Sequence, residues 1–168
     1  LSEPGWMGFV VREDWLKNLN LSEPETLDDF YDVLVQFTNN DPDNNGENDT
    51  YGLGGEAQVF FDGIFGAYGI APTFYFQRDG LLKHGSVLPE TKEVLTLLNK
   101  WYTEGLIDPE FMLMGTKQKY EKFINSKTGI IPAEVFITGE TNKVSSTLKK
   151  INPDSSLKTL IPPKGPDG

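Results

Sequence analysis

The sequence predicts an α/β fold in a single domain, and three observations lead to that prediction. Short apolar, β-prone runs alternate along the chain with segments whose apolar residues recur every three or four positions. The length of 168 residues and the hydrophobic content of 38% are enough for one core. No apolar run approaches the roughly 18 residues that a membrane-spanning helix needs.

The first elements are a strand, a short helix and the most regular helix of the chain. Residues 6–11 (WMGFVV) predict a buried strand, and residues 12–19 carry apolar positions at helical spacing. Thr26, followed three residues later by Asp29, predicts an N-cap with a variant of the capping box. The apolar positions of the helix that follows are Leu27, Phe30, Tyr31, Leu34 and Phe37.

Glycine-rich segments follow in the middle of the chain. We expect a short strand at Tyr51–Leu53, and a hairpin over residues 74–84 with its turn ending at Gly80. Three glycines recur every third residue without the GxGxxG spacing of a phosphate loop, so we interpret them as close-packing positions on one helix face: Gly63, Gly66 and Gly69.

The second half predicts three more helices and two strands. Residues 89–104 form a helix with Pro89 in its first turn and Gly105 just beyond its end. Its apolar stripe consists of Val94, Leu95, Leu98, Trp101 and Tyr102. We interpret Trp15 and Trp101 as core residues because both lie on helical stripes.

The remaining elements continue the alternation. Residues 116–126 are amphipathic, residues 141–150 predict a polar helix, and residues 157–162 predict a final strand. Residues 129–137 are apolar but contain Pro132, so this strand should lie at a sheet edge or end at the proline. The inward positions of the amphipathic helix are Tyr120, Phe123 and Ile124.

An acidic segment follows the most regular helix and has the spacing of a calcium loop. It supplies the oxygens of EF-hand positions one, three, five, seven and nine from Asp41, Asp43, Asn45, the carbonyl of Glu47, and Asp49. Gly46 stands at position six, where the loop turns sharply. Gly52 replaces the bidentate Glu of position twelve, so we expect weak Ca²⁺ binding. An acidic turn without metal is the alternative, because Asp, Asn and Gly are common turn residues.

Composition excludes several classes of function. The net charge of −10 argues against nucleic acid and anionic membranes as partners. The chain has no cysteine, which excludes disulfides, thiol catalysis and zinc–thiolate sites. The only histidine, His84, has no nucleophile at a recognisable spacing, so we expect a protein that is not an enzyme.

Several segments together resemble a known family. FVVREDWLKNLNL, PETLDDFYDVLVQF, DPDNNGENDTYGL and the run from DGLLKHGSVLPETKEV to EGLIDPEF occur in the order and spacing of the family 1 extracellular solute-binding proteins of bacterial ABC importers. The sequence is most similar to the Gram-positive lipoprotein branch that includes oligosaccharide binders. The resemblance covers residues 6–136 and resumes weakly at IPPKGPDG.

The resemblance implies a fold and a place for this chain in it. Members have the two-lobed, type II fold of periplasmic binding proteins, and they close on a solute between the lobes. We expect residues 1–168 to be a single α/β lobe of a longer receptor, with its termini at the hinge. In alginate-type relatives a Glu just after the equivalent of Asp49 helps to bind structural calcium, and this sequence has Thr50 there.

Candidate ligand-binding residues follow from the chemistry of sugars. Aromatic rings cover the apolar faces of pyranoses, carboxylates accept their hydroxyls, and clefts in open α/β sheets lie beyond the carboxyl ends of strands. These rules nominate Glu56, Tyr75, Glu134 and Phe136. Phe136 as a core residue and Glu134 as a solvated surface acid are the alternatives.

The predicted function is capture of an extracellular solute, an oligosaccharide by the resemblance, and its delivery to the permease subunits of an ABC transporter. The resemblance also implies a cell-surface lipoprotein or periplasmic protein, attached to the membrane only through a lipid anchor outside this chain. Two alternatives stay open: a fragment of a carbohydrate-active enzyme and a calcium-stabilised adhesion module.

Overall fold

A computed structural model describes residues 7–56 and 61–166, and within them the chain is a mixed α/β structure. Its strands are Met7–Arg12 (β1), Tyr51–Leu53 (β2), Tyr75–Arg78 (β3), Leu81–His84 (β4), Thr128–Glu134 (β5) and Leu157–Leu160 (β6). Its α-helices are Glu13–Asn18 (α1), Leu27–Asn39 (α2), Asp62–Ala67 (α3), Pro89–Thr103 (α4), Thr116–Ile124 (α5) and Lys143–Ile151 (α6). The α/β class predicted from the sequence is confirmed, and residue 6 of the first predicted strand lies outside the described residues.

The main sheet has four strands within the described part of the chain, in the order β2-β5-β1-β6. β1 is antiparallel to both of its neighbours, and β2 is parallel to β5. The carboxyl ends of β2, β5 and β6 therefore meet at one edge, beside the start of β1. We call this the carboxyl edge, marked by Met7, Leu53, Glu134 and Leu160.

Helices cover both faces of this sheet. Side chains of successive strand residues point to opposite faces, so Val11 and Ile130 belong to one hydrophobic cluster and Val10 and Ile131 to the other. The larger cluster packs the sheet against α1, α2, α3 and α4, and contains Trp15 and Trp101, both fully buried as predicted. The smaller cluster packs it against α5 and α6.

The N-terminus of α2 has the cap that the sequence predicts. Thr26 Oγ1 accepts the Asp29 N–H at 3.1 Å, and Asp29 Oδ2 accepts the Thr26 N–H at 2.9 Å. This reciprocal pair satisfies two backbone donors that a helix start otherwise leaves open. The cap therefore defines where α2 begins. The acidic loop starts directly after the end of this helix.

Helix α4 starts at the predicted residue and ends one residue before the predicted end, and three of the five residues of its predicted stripe are buried. Gly105 adopts a φ of +75°, the left-handed conformation expected just beyond a helix end. Leu98 is buried in the larger cluster, but Leu95 and Tyr102 are about half exposed. These two side chains therefore lie at the edge of the buried face of the helix.

The predicted role of Pro132 needs a correction. β5 is not an edge strand, and it continues past the proline to Glu134. β2 pairs with β5 only as far as Ile130, so no described strand pairs with the side of β5 away from β1 at Pro132. The Pro132 carbonyl instead accepts Lys119 Nζ at 2.7 Å. The missing N–H of the proline breaks no hydrogen bond to a neighbouring strand of the described structure.

The prediction for the three spaced glycines is correct at only one of them. Gly63 in α3 packs so closely on Phe9 that an added Cβ would lie 2.4 Å from its ring. An added Cβ at Gly66 would have no neighbour within 4 Å among the described residues, and Gly69 lies beyond the end of the helix. The period of three is therefore not a packing face.

Candidate functional site

A buried ion pair forms the base of the carboxyl edge. Glu56 follows β2, and its Oε1 accepts Lys119 Nζ from α5 at 2.7 Å. Both side chains are almost completely buried, with exposed fractions of 3% and 1%. Because the same ammonium also bonds the Pro132 carbonyl, one lysine joins the ends of β2 and β5. Glu56, a sequence-predicted ligand residue, is thus placed beneath the surface.

Lys119 is a residue that sequence reasoning missed. It lies four positions before Phe123, on the inward face of α5, so the helical pattern already placed a lysine in the interior. A buried ammonium needs an acidic partner. That requirement could have been recognised in the sequence, although the pattern alone does not identify Glu56 as the partner.

Tyr120, the residue after Lys119 in α5, forms a hydrogen bond with Glu134, the second acid predicted to bind ligand. Tyr120 Oη donates a short hydrogen bond to Glu134 Oε2 at the end of β5. This bond lowers the pKa of Glu134, and burial and the Glu134 carboxylate raise the pKa of Tyr120. Lys119 Nζ lies 4.8 Å from the centre of the Tyr120 ring. Glu134 is therefore an oriented, ionised carboxylate at neutral pH.

Phe136 extends the same surface. It lies in a 3-10 helix, Val135–Thr138, which follows β5 directly. Thr159 of β6 donates a hydrogen bond to the Val135 carbonyl at 3.4 Å, so this helix is attached to the neighbouring strand. The Phe136 side chain is 53% exposed, whereas Ile137 is buried in the smaller cluster. An aromatic ring and a carboxylate thus stand two residues apart at the carboxyl edge.

A small cavity opens at this edge. Its volume is about 180 Å³, and its lining comes from the start of β1, the start of α3, β5 and the segment after β6. The polar member of the lining is Asp62, which sequence reasoning did not single out. The lining residues are Met7, Gly8, Phe9, Asp62, Gly63, Pro132 and Pro162.

Tyr75 lies on a different sheet from the other candidates. It begins β3 of the hairpin, opposite His84, and the two rings meet edge to face with their centres 4.9 Å apart. The side chain is well exposed, as are several apolar neighbours on the hairpin. The structure thus brings Glu56, Glu134 and Phe136 to one edge and places Tyr75 on the hairpin.

The acidic loop is ordered by its own hydrogen bonds. The Asp41 carboxylate accepts the N–H groups of Asn45 at 3.0 Å and Gly46 at 2.9 Å, and Gly46 has a φ of +85°. The amide nitrogen of Asn45 lies between two carboxylates, 3.3 Å from Asp43 Oδ2 and 3.4 Å from Asp49 Oδ1. The loop is therefore held together by hydrogen bonds between its own residues, with the Asn45 amide nitrogen and not its oxygen facing the two carboxylates.

Burial and the neighbouring Asp41 raise the pKa of Asp43, whose Oδ1 is buried without a hydrogen-bond partner among the described residues. The opposite shift occurs at Asp49, because a hydrogen bond from Lys127 lowers its pKa. Carboxylate, amide and carbonyl oxygens are the ligands that a hard cation such as Ca²⁺ prefers, so the residue types of the loop fit this ion although their arrangement here does not form a site. The ligands would be the side chains of Asp41, Asp43, Asn45 and Asp49, with the Glu47 carbonyl.

The second half of the loop cannot supply the EF-hand clamp. Thr50 is buried, and its hydroxyl donates to the Phe37 carbonyl of α2 at 2.6 Å. Gly52 packs on α2 so tightly that a Cβ would lie 2.6 Å from the Leu34 Cα and carbonyl oxygen. Position twelve therefore has no room for any side chain. Within residues 7–56 and 61–166, no group of three or more His, Cys, Asp or Glu side chains is arranged to hold a metal ion.

Comparisons with known proteins found relatives of similar sequence and structure. No protein-family model matches the sequence. The lipoprotein LipO of Bacillus subtilis (strain 168) is 34% identical over 162 residues, which cover 91% of this chain and 30% of LipO. The polygalacturonan/rhamnogalacturonan-binding protein YtcQ of the same strain is 31% identical over 96% of this chain and 32% of its own length.

Solved structures agree with these relatives. The Streptococcus pneumoniae substrate-binding protein FusA in complex with kestose superimposes with a TM-score of 0.77 and 26% identity, over 96% of this chain and 32% of FusA. The alginate-binding protein AlgQ2, solved without calcium, shares the fold with a TM-score of 0.79 at 24% identity, over 96% of this chain and 33% of AlgQ2. An EF-hand mutant of FusA is among the similar structures, so the EF-hand is a recognised feature of that relative.

FusA is named as a fructooligosaccharide ABC transporter substrate-binding protein, and this chain spans about a third of the length of the relatives that it matches. Among the described helices, none is both long and apolar enough to cross a membrane. The resemblance that the sequence motifs suggest is confirmed by these matches. Over nearly its whole length, the chain is similar to one part of the family 1 extracellular solute-binding proteins of bacterial ABC transporters.

Proposed function

We propose that this chain is one lobe of the substrate-binding component of an ABC transporter and that it contributes half of an oligosaccharide-binding cleft. The names of the relatives support an oligosaccharide as the solute, since YtcQ is named for pectic polysaccharides and FusA was solved with kestose. Closure of two lobes around the sugar would present the receptor to the permease subunits, with no chemical step.

The observation that carries this proposal is the pair of Glu134 and Phe136 at the carboxyl edge. An ionised carboxylate held by Tyr120 can accept sugar hydroxyls, and an exposed aromatic ring two residues away can cover the apolar face of a pyranose or furanose. Glu56 supports this surface from below by fixing Lys119. We leave Tyr75 outside the surface because its ring lies on the hairpin and packs on His84.

We further propose that residues 7–166 form one lobe whose chain crosses to the rest of a receptor at a single place. β1 starts and β6 ends at the carboxyl edge, paired to each other through Phe9 and Leu160. Both crossings would lie beside Glu134, so a hinge there would bring a second lobe over the proposed sugar surface. We propose that the receptor has no enzymatic activity and lies at the cell surface or in the periplasm. We also propose that a lipid anchor outside this chain attaches it to the membrane.

We also propose that the acidic loop binds Ca²⁺ weakly in a structural role. The sequence spacing offers four side-chain ligands and one carbonyl, but Thr50 and Gly52 provide no late carboxylate. The loop joins the end of α2 to β2, so a bound ion would stabilise the connection between helix and sheet.

The test is calorimetric titration of the full-length receptor that carries this chain with fructo-oligosaccharides and oligogalacturonates. We expect binding, a loss of about tenfold in affinity for Phe136→Ala, and a change of less than twofold for Phe74→Ala. Phe74 is the matched control because it is an aromatic residue beside the hairpin with 66% exposure. Equal losses for the two variants would contradict the proposed surface, and release of reducing ends would favour an enzyme instead.

A further inference from the structure

The segments that reach the carboxyl edge carry acidic residues and no basic ones. They contain Glu56, Asp62 and Glu134 but neither lysine nor arginine. Residues 57–60 (AQVF), which lie between two of these segments in the sequence, contain no charged residue either. The charge that these segments offer to a ligand is therefore negative. The segments are residues 7–11, 53–56, 61–63, 128–138 and 159–163.

Basic residues lie at the opposite edge of the sheet. Arg12 ends β1, Lys127 directly precedes β5, and Lys158 is the second residue of β6. β1 runs away from the carboxyl edge, whereas β5 and β6 run toward it, so all three side chains belong to the far edge. Each also forms an ion pair there, with Asp14, Asp49 and Glu23 respectively.

Lys119 lies beneath the carboxyl edge but is not available to a ligand. Its side chain is 1% exposed, and its Nζ donates to Glu56 Oε1 and to the Pro132 carbonyl, both at 2.7 Å. Glu56 therefore neutralises its charge. An anionic ligand would have to break this pair, which would leave the Glu56 carboxylate buried without its partner.

Two further basic residues flank these segments in the sequence. Lys164 pairs with Glu25 at 3.4 Å. Lys143 is exposed in the first turn of α6 and has no ion-pair partner within the described part of the chain. Lys143 is thus the one flanking cation, among the described residues, that an anionic ligand could reach without breaking an ion pair.

The exposed acids of this edge can bind hydroxyl groups. Glu134 accepts the Tyr120 hydroxyl with one carboxylate oxygen, which leaves the other oxygen for a ligand. Asp62 lines the cavity of about 180 Å³ and has no ion-pair partner among the described residues. Carboxylates accept hydrogen bonds from neutral sugars, whereas the carboxylate of a uronate needs an arginine or lysine.

We propose that the carboxyl edge selects neutral oligosaccharides and rejects oligouronates, whose carboxylates would meet Glu134 and Asp62 without an available cation. This inference rests on the proposed sugar-binding surface and names the class of sugar that it takes. A uronate carboxylate roughly 5 Å from Glu134 should weaken binding by about tenfold when water and salt screen the repulsion.

The experiment is calorimetry of the full-length receptor that carries this chain, with two sets of trisaccharides. Kestose, maltotriose and galactotriose are neutral, and trigalacturonate and trimannuronate are anionic. We expect at least one neutral sugar to bind, and every uronate to bind it at least about tenfold more weakly. A uronate within tenfold of the best neutral sugar would overturn the selection by charge and leave the sugar-binding surface intact. Binding of neither class would overturn both proposals.

A variant isolates the contribution of this lobe to the selection. Glu134→Gln should bring the affinities for the two classes closer by about tenfold, because loss of a hydrogen bond alone would weaken both classes alike. Glu121→Gln is the matched control, since Glu121 is an exposed residue of α5 that pairs with Lys117 at 3.6 Å. It should change the ratio of the two affinities by less than about twofold.

Ionic strength gives a second measurement that does not depend on a variant. Raising sodium chloride from about 20 to about 300 mM shortens the Debye length from roughly 20 Å to roughly 6 Å. Binding of uronates should then strengthen relative to binding of neutral sugars. A ratio that changes neither with Glu134→Gln nor with salt would refute the selection by charge at this edge.

Discussion

Replacing Lys119 by Met tests whether the carboxyl edge depends on its buried ion pair. The substitution removes the ammonium that bonds Glu56 at 2.7 Å and the Pro132 carbonyl at 2.7 Å. Glu56 already has one buried carboxylate oxygen without a partner among the described residues, so its charge would be left uncompensated. Breaking a buried pair in this way costs about 3–5 kcal/mol.

Urea unfolding of the chain measures this loss. With a slope of about 2 kcal/mol per molar urea for a domain of this size, the midpoint should fall by roughly 1.5–2.5 M. The control is Lys117→Met in the same helix, whose side chain is 83% exposed and pairs with Glu121 at 3.6 Å. That variant should change the unfolding free energy by less than about 0.5 kcal/mol.

The double variant Lys119→Met with Glu56→Met separates a lost charge partner from lost packing. It removes both charges and replaces them by apolar side chains of similar length, so it should recover most of the stability that the single variant loses. A loss below about 1 kcal/mol for Lys119→Met, or a double variant less stable than the single one, would refute the assignment of a buried ion pair.

Three further predictions concern other parts of the chain. Arg12→Met should lower the free energy of unfolding by about 2–4 kcal/mol in urea titration, because fully buried Arg12 forms a bidentate pair with Asp14 at 2.9 and 2.6 Å; a loss within 0.5 kcal/mol would contradict that role. Gly52→Ala should cost about 1–3 kcal/mol in the same assay, because its methyl would meet the Leu34 backbone at 2.6 Å, and unchanged stability would show that α2 and β2 separate easily. The raised pKa of Asp43 means that its proton stabilises the metal-free loop below that pKa and that this contribution is lost as the pH rises through it. Stabilisation by Ca²⁺ should therefore grow as the pH rises across that range, and thermal melts in Ca²⁺ that are independent of pH between 4 and 7 would oppose this.

Local patterns in the sequence were enough to predict most elements of this fold. The Thr26 and Asp29 pair identifies the start of α2 because both partners of the capping box lie within one helical turn. Gly105 identifies the end of α4 for an equally local reason. Pairing between distant strands was harder to predict from the sequence. Pro132 can lie in a central strand because the described pairing of β2 with β5 ends at Ile130, and nothing near Pro132 in the sequence shows where that pairing ends.

The candidate site was predictable only in part. The rule on carboxyl ends of strands selects Glu134 and Phe136, and the structure places both at the carboxyl edge. The same rule selects Glu56, but its partner Lys119 is 63 residues away, so burial of the pair could not be read from either segment. Lys127 is still harder to predict, since it is 78 residues from Asp49 and lies in no recognised motif.

The most direct test of the sugar-binding surface is a titration of the ¹⁵N-labelled chain with kestose, followed by NMR. One lobe offers about half the contacts of a closed cleft, so a micromolar receptor affinity corresponds to roughly millimolar binding here, which chemical shifts detect. We predict saturable shifts at the amides of Glu134, Phe136 and Gly8, with none at hairpin residues 75–84. Shifts confined to the hairpin, or none at 50-millimolar sugar, would contradict the central claim.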